Sequence, residues 1–327
     1  MRRRHFISLL GGAAAAWPLA AGAQKQPVRL GFLSAGSATS RTTASQIADI
    51  KEGLRQNGMT EGRDYILEFR FAAGRYEQFP DLARDLIQAG VGMVLVNTIS
   101  AVVAAQRLNP PVPVVMLTIN DPVGTGLVQS LARPGGYTTG MATSNEDVTP
   151  KLLEFQRSIV PNAKTVAVLF NPANPTNPAM LGNVEAQAKT LGMKIVPIVL
   201  QSPEGLATAL SAVATAKPDV FHLLADSGNL DLIDRIIPFA FERRLPSFST
   251  SPRFAEFGGL LAYGASLSKL FIRAGYFVKR IADGTNPGDL PVEQPTRVEL
   301  WINQKTAKAL GLTIPPSLLV AADEVIE

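Results

Sequence analysis

The sequence predicts an α/β protein made of two doubly wound parallel-sheet domains, and three observations predict it. Short apolar runs alternate with stretches of helical period along most of the 327 residues. The alternation comes in two series, separated by the segment 142–163. Each apolar run stops abruptly at small polar residues. Short apolar runs bounded by turn formers read as strands buried on both faces, and a regular strand–helix–strand order reads as a parallel sheet with right-handed crossovers.

The first series opens with the strand VRLGFLS (28–34), followed by a helix over 42–56 with Ile47, Ile50 and Leu54 at helical spacing. DYILEFRFA (64–72) alternates as a strand does. YEQFPDLARDLIQAG (76–90) is amphipathic, with Phe79, Leu82, Leu86 and Ile87 on one stripe and Gly90 ending it. VGMVLVN is a strand, 98–108 a helix, and 113–118 a strand.

The second series begins with the strand KTVAVLF (164–170) and a helix that ends at Gly192. MKIVPIVL is a strand, 203–216 a helix, PDVFHLL (218–224) a strand, 229–243 a helix, and LPSFST (245–250) a short strand. Between the series a helix is expected from Thr149 to Ile159. The remainder holds a strand (Gly259–Tyr263), a helix (Ser266–Asp283), the connector GTNPGDLPVEQP, a strand (Arg297–Ile302), a short helix (Asn303–Leu310) and a tail. This last part completes both series if the chain crosses between them three times. The expected division is 24–142 with 252–286 in the first domain, and 143–251 with 287–327 in the second.

Residues 1–23, MRRRHFISLLGGAAAAWPLAAGA, read differently. Arg2, Arg3 and Arg4 precede a weakly apolar stretch that ends in Ala21-Gly22-Ala23, a small-x-small cleavage pattern. Arg3-Arg4-His5-Phe6-Ile7 is also twin-arginine-like, the alternative being an ordinary secretory signal. Cleavage before Gln24 leaves no Cys to take a lipid, so a free periplasmic protein is expected. The 31 Lys and Arg less those three, against 27 acids, leave about +1. A near-neutral chain has no electrostatic footprint for nucleic acid. Zero Cys excludes disulfides, thiolate metal sites and Cys nucleophiles.

The polar ends of the strands are the candidate site. In an open parallel sheet, ligands bind outside the carboxyl ends of the strands. The first series supplies Ser34 and Ser37, then Asn97, Thr98 and Ser100, then Thr118, Asn120 and Asp121. The second supplies Asn171, Asn174 and Thr176, then Asp226 and Ser227, then Thr250. Several precede helices, whose free N–H groups favour an anion such as a carboxylate. Each residue taken alone also reads as a helix cap or turn former. The recurrence is what points to two polar rims around one cleft.

Catalytic patterns are sparse. After residue 23 the one histidine is His222, inside VFHLL, which reads as a hydrogen-bonded strand residue. No G-x-S-x-G elbow or G-x-x-x-x-G-K-[ST] phosphate loop is present. Gly124-x-Gly126 lacks the third glycine of a dinucleotide fingerprint. Ser266-x-x-Lys269 matches a fragment of a penicillin-enzyme pattern, but Ser266 sits where a cap belongs. Asp121 and Asp226 as an acid/base pair would want a sugar-binding aromatic cluster, which is missing. No catalytic residue, metal site or cofactor is expected.

DPVGTGLVQSLARPGGYTTG (121–140), LPVEQPT (290–296) and the closing 303–327 together resemble the tryptophan/tyrosine-binding-like substrate-binding proteins of ABC importers. The resemblance covers nearly all of the chain after residue 23. It implies a type I periplasmic binding protein fold: two α/β domains, three hinge strands and a ligand clamped between them. It implies a small-molecule ligand, an ABC permease in the inner membrane as partner, and a monomer. By position, Asn97, Thr98, Ser100, Thr118 and Asn120 would hold a ligand carboxylate, Asp226 an ammonium group, and Tyr263 would cover an apolar side chain. The chain departs from the family pattern at Tyr137, often Asn, and at Ile119-Asn120-Asp121, often Asn-Ala-Asp. The second departure lies on a rim, so an aromatic amino acid does not follow. Three functions fit: a solute-binding importer component for an amino acid or related small carboxylate, an exported sensor subunit for a kinase or chemoreceptor, and a hydrolase or lyase on the same fold. A single histidine leaves the last short of a base.

Overall fold

The computed structural model describes residues 26–327, so the expected export signal lies outside the described residues. The first sheet is built from β1 (Val28–Ser34), β2 (Tyr65–Phe71), β3 (Met93–Val96), β4 (Val114–Asn120) and β5 (Thr138–Thr143), all parallel, in the order β2-β1-β3-β4-β5. Helices α1 (Arg41–Gln56), α2 (Phe79–Gln88) and α3 (Ile99–Gln106) connect the first four strands. Every residue of β3 is buried, as a strand between two helical layers must be. Ser40 caps α1, its side chain accepting from the Thr42 and Thr43 amides.

The second sheet takes β6 (Thr165–Phe170), β7 (Lys194–Val199), β8 (Val220–Leu223), β9 (Ser247–Ser249), β10 (Leu261–Gly264), β11 (Glu299–Asn303) and β12 (Glu324–Ile326), in the order β12-β11-β10-β9-β8-β6-β7. Only the β10–β11 pairing is antiparallel. Its helices are α4 (Asn145–Ile159), α5 (Asn177–Thr190), α6 (Leu206–Ala216), α7 (Ser227–Leu230), α8 (Ile233–Glu242) and α9 (Pro252–Glu256). The chain continues through α10 (Leu267–Ala282), α11 (Gln304–Leu310) and α12 (Pro316–Ala321). Each sheet is covered on both faces by an apolar cluster, with Phe79 and Leu86 on one side of the first and Phe271 and Phe277 on the other. Among the described residues no helix is long and apolar enough to cross a membrane.

The two doubly wound sheets and three crossings are present, but several details differ from expectation. β5 was missed because Thr138-Thr139-Gly140-Met141-Ala142-Thr143 has no apolar run; all six residues are nevertheless buried. Gly140 permits the pairing: at φ 128° its missing Cβ would stand 2.1 Å from the Met116 carbonyl oxygen. α4 begins at Asn145 rather than Thr149, with Pro150 inside it. The second crossing does not precede residue 252. α9 and β10 stay with the second sheet, where Leu261 and Ala262 pair with Phe248 and Ser249. The chain crosses between β10 and α10, and α10 then covers the first sheet against α1. That approach is close because both helices have glycine there: a Cβ on Gly53 would meet the Ile272 carbonyl oxygen at 2.1 Å, and one on Gly275 the Gly53 carbonyl oxygen at 2.2 Å. The third crossing also comes later than residue 287. Glu293 still pairs with the first sheet, its amide donating to the Gly140 carbonyl and its own carbonyl accepting from Ala142.

Candidate functional site

In a sheet of order β2-β1-β3 the crossover direction reverses between β1 and β3, and that switch point opens a crevice at the carboxyl ends. The second sheet has the same reversal between β6 and β8. The two crevices face each other. A cavity of about 50 Å³ lies between them, and Asn97, Thr98, Thr118 and Asn120 of the first rim and Asn174, Thr176, Asp226 and Ser227 of the second all line it.

Each switch point is stitched by an asparagine. In the first, Asn97 Nδ2 donates to Ser34 Oγ at 3.0 Å and Asn97 Oδ1 accepts from the Ala35 amide at 3.2 Å. In the second, Asn171 Nδ2 donates to Asp226 Oδ1 at 3.3 Å, and Asn171 Oδ1 accepts from the Ala173 amide at 2.9 Å. Ser34 and Asn171 are thus buried struts behind the rims and do not line the cavity.

The first rim presents donors. Thr98 precedes α3 in extended conformation and makes no side-chain cap hydrogen bond, so the Ile99 and Ser100 amides of the first turn point outward without a helical carbonyl partner. Asn120 at the end of β4 is 8% exposed. Its Oδ1 accepts from the Asn145 amide at 2.7 Å and from Thr143 Oγ1 at 3.4 Å, whereas its buried Nδ2 has no partner.

On the second rim the acid is saturated. Asp226 is 3% exposed and caps α7. Its Oδ1 accepts from the Asn229 amide at 3.0 Å as well as from Asn171, and its Oδ2 accepts from Asn174 Nδ2 at 3.1 Å and from Tyr76 Oη at 2.7 Å. Tyr76 belongs to the first domain, so this bond spans the cleft. Burial raises the Tyr76 hydroxyl well above its ordinary value of 10, and the adjacent Asp226 carboxylate raises it further. Tyr76 is therefore a neutral donor at physiological pH.

Further bonds span the same gap. The Ser37 amide donates to Asp231 Oδ2 at 2.9 Å, Thr43 Oγ1 to Asp231 Oδ1 at 3.2 Å, and Ser227 Oγ to the Asn97 carbonyl at 2.8 Å. At the margin Arg41 pairs with Asp234, and Arg75 with Glu204 at 3.0 Å. The two domains are closed on each other.

Other expected residues lie elsewhere. Ser37 acts through its amide in closure. Ser100 has its amide at the α3 terminus, but its side chain does not line the cavity. Asp121 sits at φ 42° and accepts from the Gly124 amide at 2.9 Å, making the turn after β4. Thr250 is buried with Oγ1 unpartnered, away from the cavity lining. Tyr263 stands on β10 and packs edge-on against Phe155 at 5.1 Å in the second core. Thr143, Asn145 and Leu267 line the cavity, and Tyr76 reaches Asp226, though none of the four is among the expected residues. Thr143 ends the unrecognised β5 and Asn145 follows it, and Leu267 follows the displaced crossing. Tyr76 carried no signal beyond its place at the start of an amphipathic segment.

His222 lies within β8, fully buried, with Nδ1 3.4 Å from Gln156 Nε2 and Nε2 unpartnered. Burial lowers its pKa to about 3, so it is neutral and outside the cavity lining. Among the described residues no group of three or more His, Cys, Asp or Glu converges as metal ligands would.

Residues 40–326 match the family model described as ABC transporter substrate binding protein. A curated relative, the tyrosine-binding protein of Clostridioides difficile (strain R20291), is 24% identical over 261 residues, covering 80% of this chain and 75% of its own. Among solved structures, an ABC domain in complex with L-Trp from Streptococcus pneumonia superposes with a TM-score of 0.81 at 24% identity, covering 92% of this chain and 100% of the other. The ligand-free, open structure of a substrate binding protein with adhesive properties from Clostridium difficile superposes at 0.60 with 20% identity, covering 91% and 99%.

Proposed function

The chain belongs to the ABC transporter substrate-binding protein family, and from that premise we propose that it is the solute-receiving component of an importer, closing on an amino acid or related small carboxylate between its two domains. One observation carries the reading: both switch points open into a single cavity, and hydrogen bonds from both rims bridge it. A ligand bound between two hinged bodies contacts both only when they are closed, and so favours the closed state. The donors of the first rim, an α3 N-terminus and the unpartnered Asn120 Nδ2, suit a carboxylate. Relatives named for tyrosine or crystallised with L-Trp support a carboxylate-bearing solute. The site binds and releases without chemistry.

In this reading the protein is exported by its basic amino-terminal segment, works in the periplasm as a monomer, and hands its solute to an inner-membrane permease. A thermal-shift library of amino acids, short and aromatic carboxylates, peptides, sugars and nucleosides tests the binding role. At least one class is expected to raise the melting temperature in a concentration-dependent way, because a ligand that binds only the folded state stabilises it. A flat response across the whole library rejects the role.

A further inference from the structure

We infer that the closed cleft selects a short carboxylate whose second polar group is neutral, such as a 2-hydroxy or 2-oxo acid, and that Tyr76 makes this selection by occupying the acid an ammonium group would need. The inference rests on the solute-binding reading above and sharpens it. A carboxylate offers about four acceptor positions. On Asp226 all four are taken: Asn171 Nδ2 and the Asn229 amide on Oδ1, Asn174 Nδ2 and Tyr76 Oη on Oδ2. Three of these donors come from the second domain itself, and the shortest bond, 2.7 Å, comes from Tyr76 across the cleft. An incoming ammonium group would have to displace Tyr76, whose hydroxyl is buried and neutral, and so break a bond that holds the domains together.

The rest of the lining points the same way. Asp226 is its only charged residue, and no aromatic, Arg or Lys takes part. The unspent capacity is donor capacity: buried Asn120 Nδ2, without a partner, and the first-turn amides of α3. Donors without a compensating acceptor fit an anion. Thr118 brings a hydroxyl that donates or accepts, as a neutral second group needs, while those of Thr143 and Thr176 already donate, to Asn120 Oδ1 and Asn174 Oδ1. The cavity of about 50 Å³ in this closed form favours a solute of few heavy atoms over one that carries an indole or phenol ring.

The test is isothermal titration of the protein with lactate, pyruvate, alanine and tryptophan. Lactate or pyruvate is expected to bind at least about 10-fold more tightly than alanine, with tryptophan weaker still. Alanine or tryptophan equal to or tighter than both acids overturns the inference and leaves the solute-binding role standing. So does binding confined to another class of the library. No binding by any class rejects both. Tyr76→Phe keeps the ring and frees Oδ2 of Asp226, and it is expected to shift the alanine-to-lactate affinity ratio at least about 5-fold toward alanine. An unchanged ratio in a folded variant removes Tyr76 from the selection. Asn120→Asp keeps the acceptor for the Asn145 amide and replaces the free donor with an acceptor, so lactate affinity is expected to fall about 10-fold or more; retention of affinity overturns the role of Asn120 Nδ2.

Discussion

The two rims of the cleft use the same residue types in the same topological places, yet they are in opposite states. At the first switch point Asn97 ties β1 to β3 and leaves the outer donors free; at the second, Asn171 ties β6 to β8 and the carboxylate beside it is fully engaged. One rim keeps an unpartnered donor at the cavity, Asn120 Nδ2. On the other, the Asp226 carboxylate is spent on its own folding and on closure. The shared strand–helix order of the halves therefore says where a cleft can form, and the hydrogen-bond balance of each half says which polar groups remain free in it.

The largest effect expected from breaking this contrast is at Asp226. Asp226→Ala strips acceptors from two asparagines, a tyrosine and the α7 amide of Asn229 at once. Urea denaturation is expected to show a loss of about 3 kcal/mol, because buried donors left unpaired cost more than the bond itself. A loss under about 1 kcal/mol would show that the four acceptor positions of Asp226 are not all engaged.

Below that rim, His222 extends the same economy into the sheet. With a folded pKa of about 3 against an ordinary 6.5, it stays neutral while the unfolded chain takes up a proton. Its contribution is thus full above pH 6.5 and is lost as pH falls toward 3. Between pH 6.5 and 5 the loss is about 2 kcal/mol at most, from 1.4 kcal/mol per pH unit. His222→Leu is expected to remove that part of the slope, as measured by denaturation at both pH values; an identical slope in the variant places the titration elsewhere.

Tyr76→Phe separates closure from folding. Removing one cross-cleft donor is expected to cost about 1–2 kcal/mol and to widen the cleft of the unliganded protein, seen as a larger radius of gyration in X-ray scattering. Tyr76 also predicts an alkaline window: its raised pKa means stability holds up to pH 10 and declines above it, as the unfolded tyrosine ionises first. Unchanged dimensions in Tyr76→Phe would show that the remaining bonds at Ser37, Thr43 and Ser227 close the cleft alone.

The smallest stability effect is expected on the first rim. Asn120→Ala removes one acceptor from the Asn145 amide but costs nothing at Nδ2, which is already unpartnered. A change of about 1 kcal/mol or less is expected by urea denaturation. A loss as large as that of Asp226→Ala would erase the distinction between the rims.

Much of the fold was legible because it follows local rules. Apolar strands such as Met93–Val96 declare themselves by composition, and helices such as Phe79–Gln88 by period. β5 escaped because a threonine- and glycine-rich strand has neither signal; it forms because β4 offers an edge and Gly140 lets the backbones approach. The second crossing was misplaced because nothing in Leu261–Gly264 tells which sheet will pair with it. Of the residues that line the cavity, Asn97, Thr98, Thr118, Asn120, Asn174, Thr176, Asp226 and Ser227 were readable from their position at or after strand ends. Thr250 follows β9 but is buried away from the lining, and Tyr263 stands inside β10 with its ring in the second core, because a place along a strand does not fix which way a side chain packs.

The sequence by itself determined two wound series of strands and helices and their polar strand ends, because burial periodicity and turn chemistry act between near neighbours. Only the tertiary structure decided which of those polar groups remain free. Tyr76 and Asp226 are 150 residues apart, and whether an acceptor is satisfied depends on neighbours in space that no local pattern records.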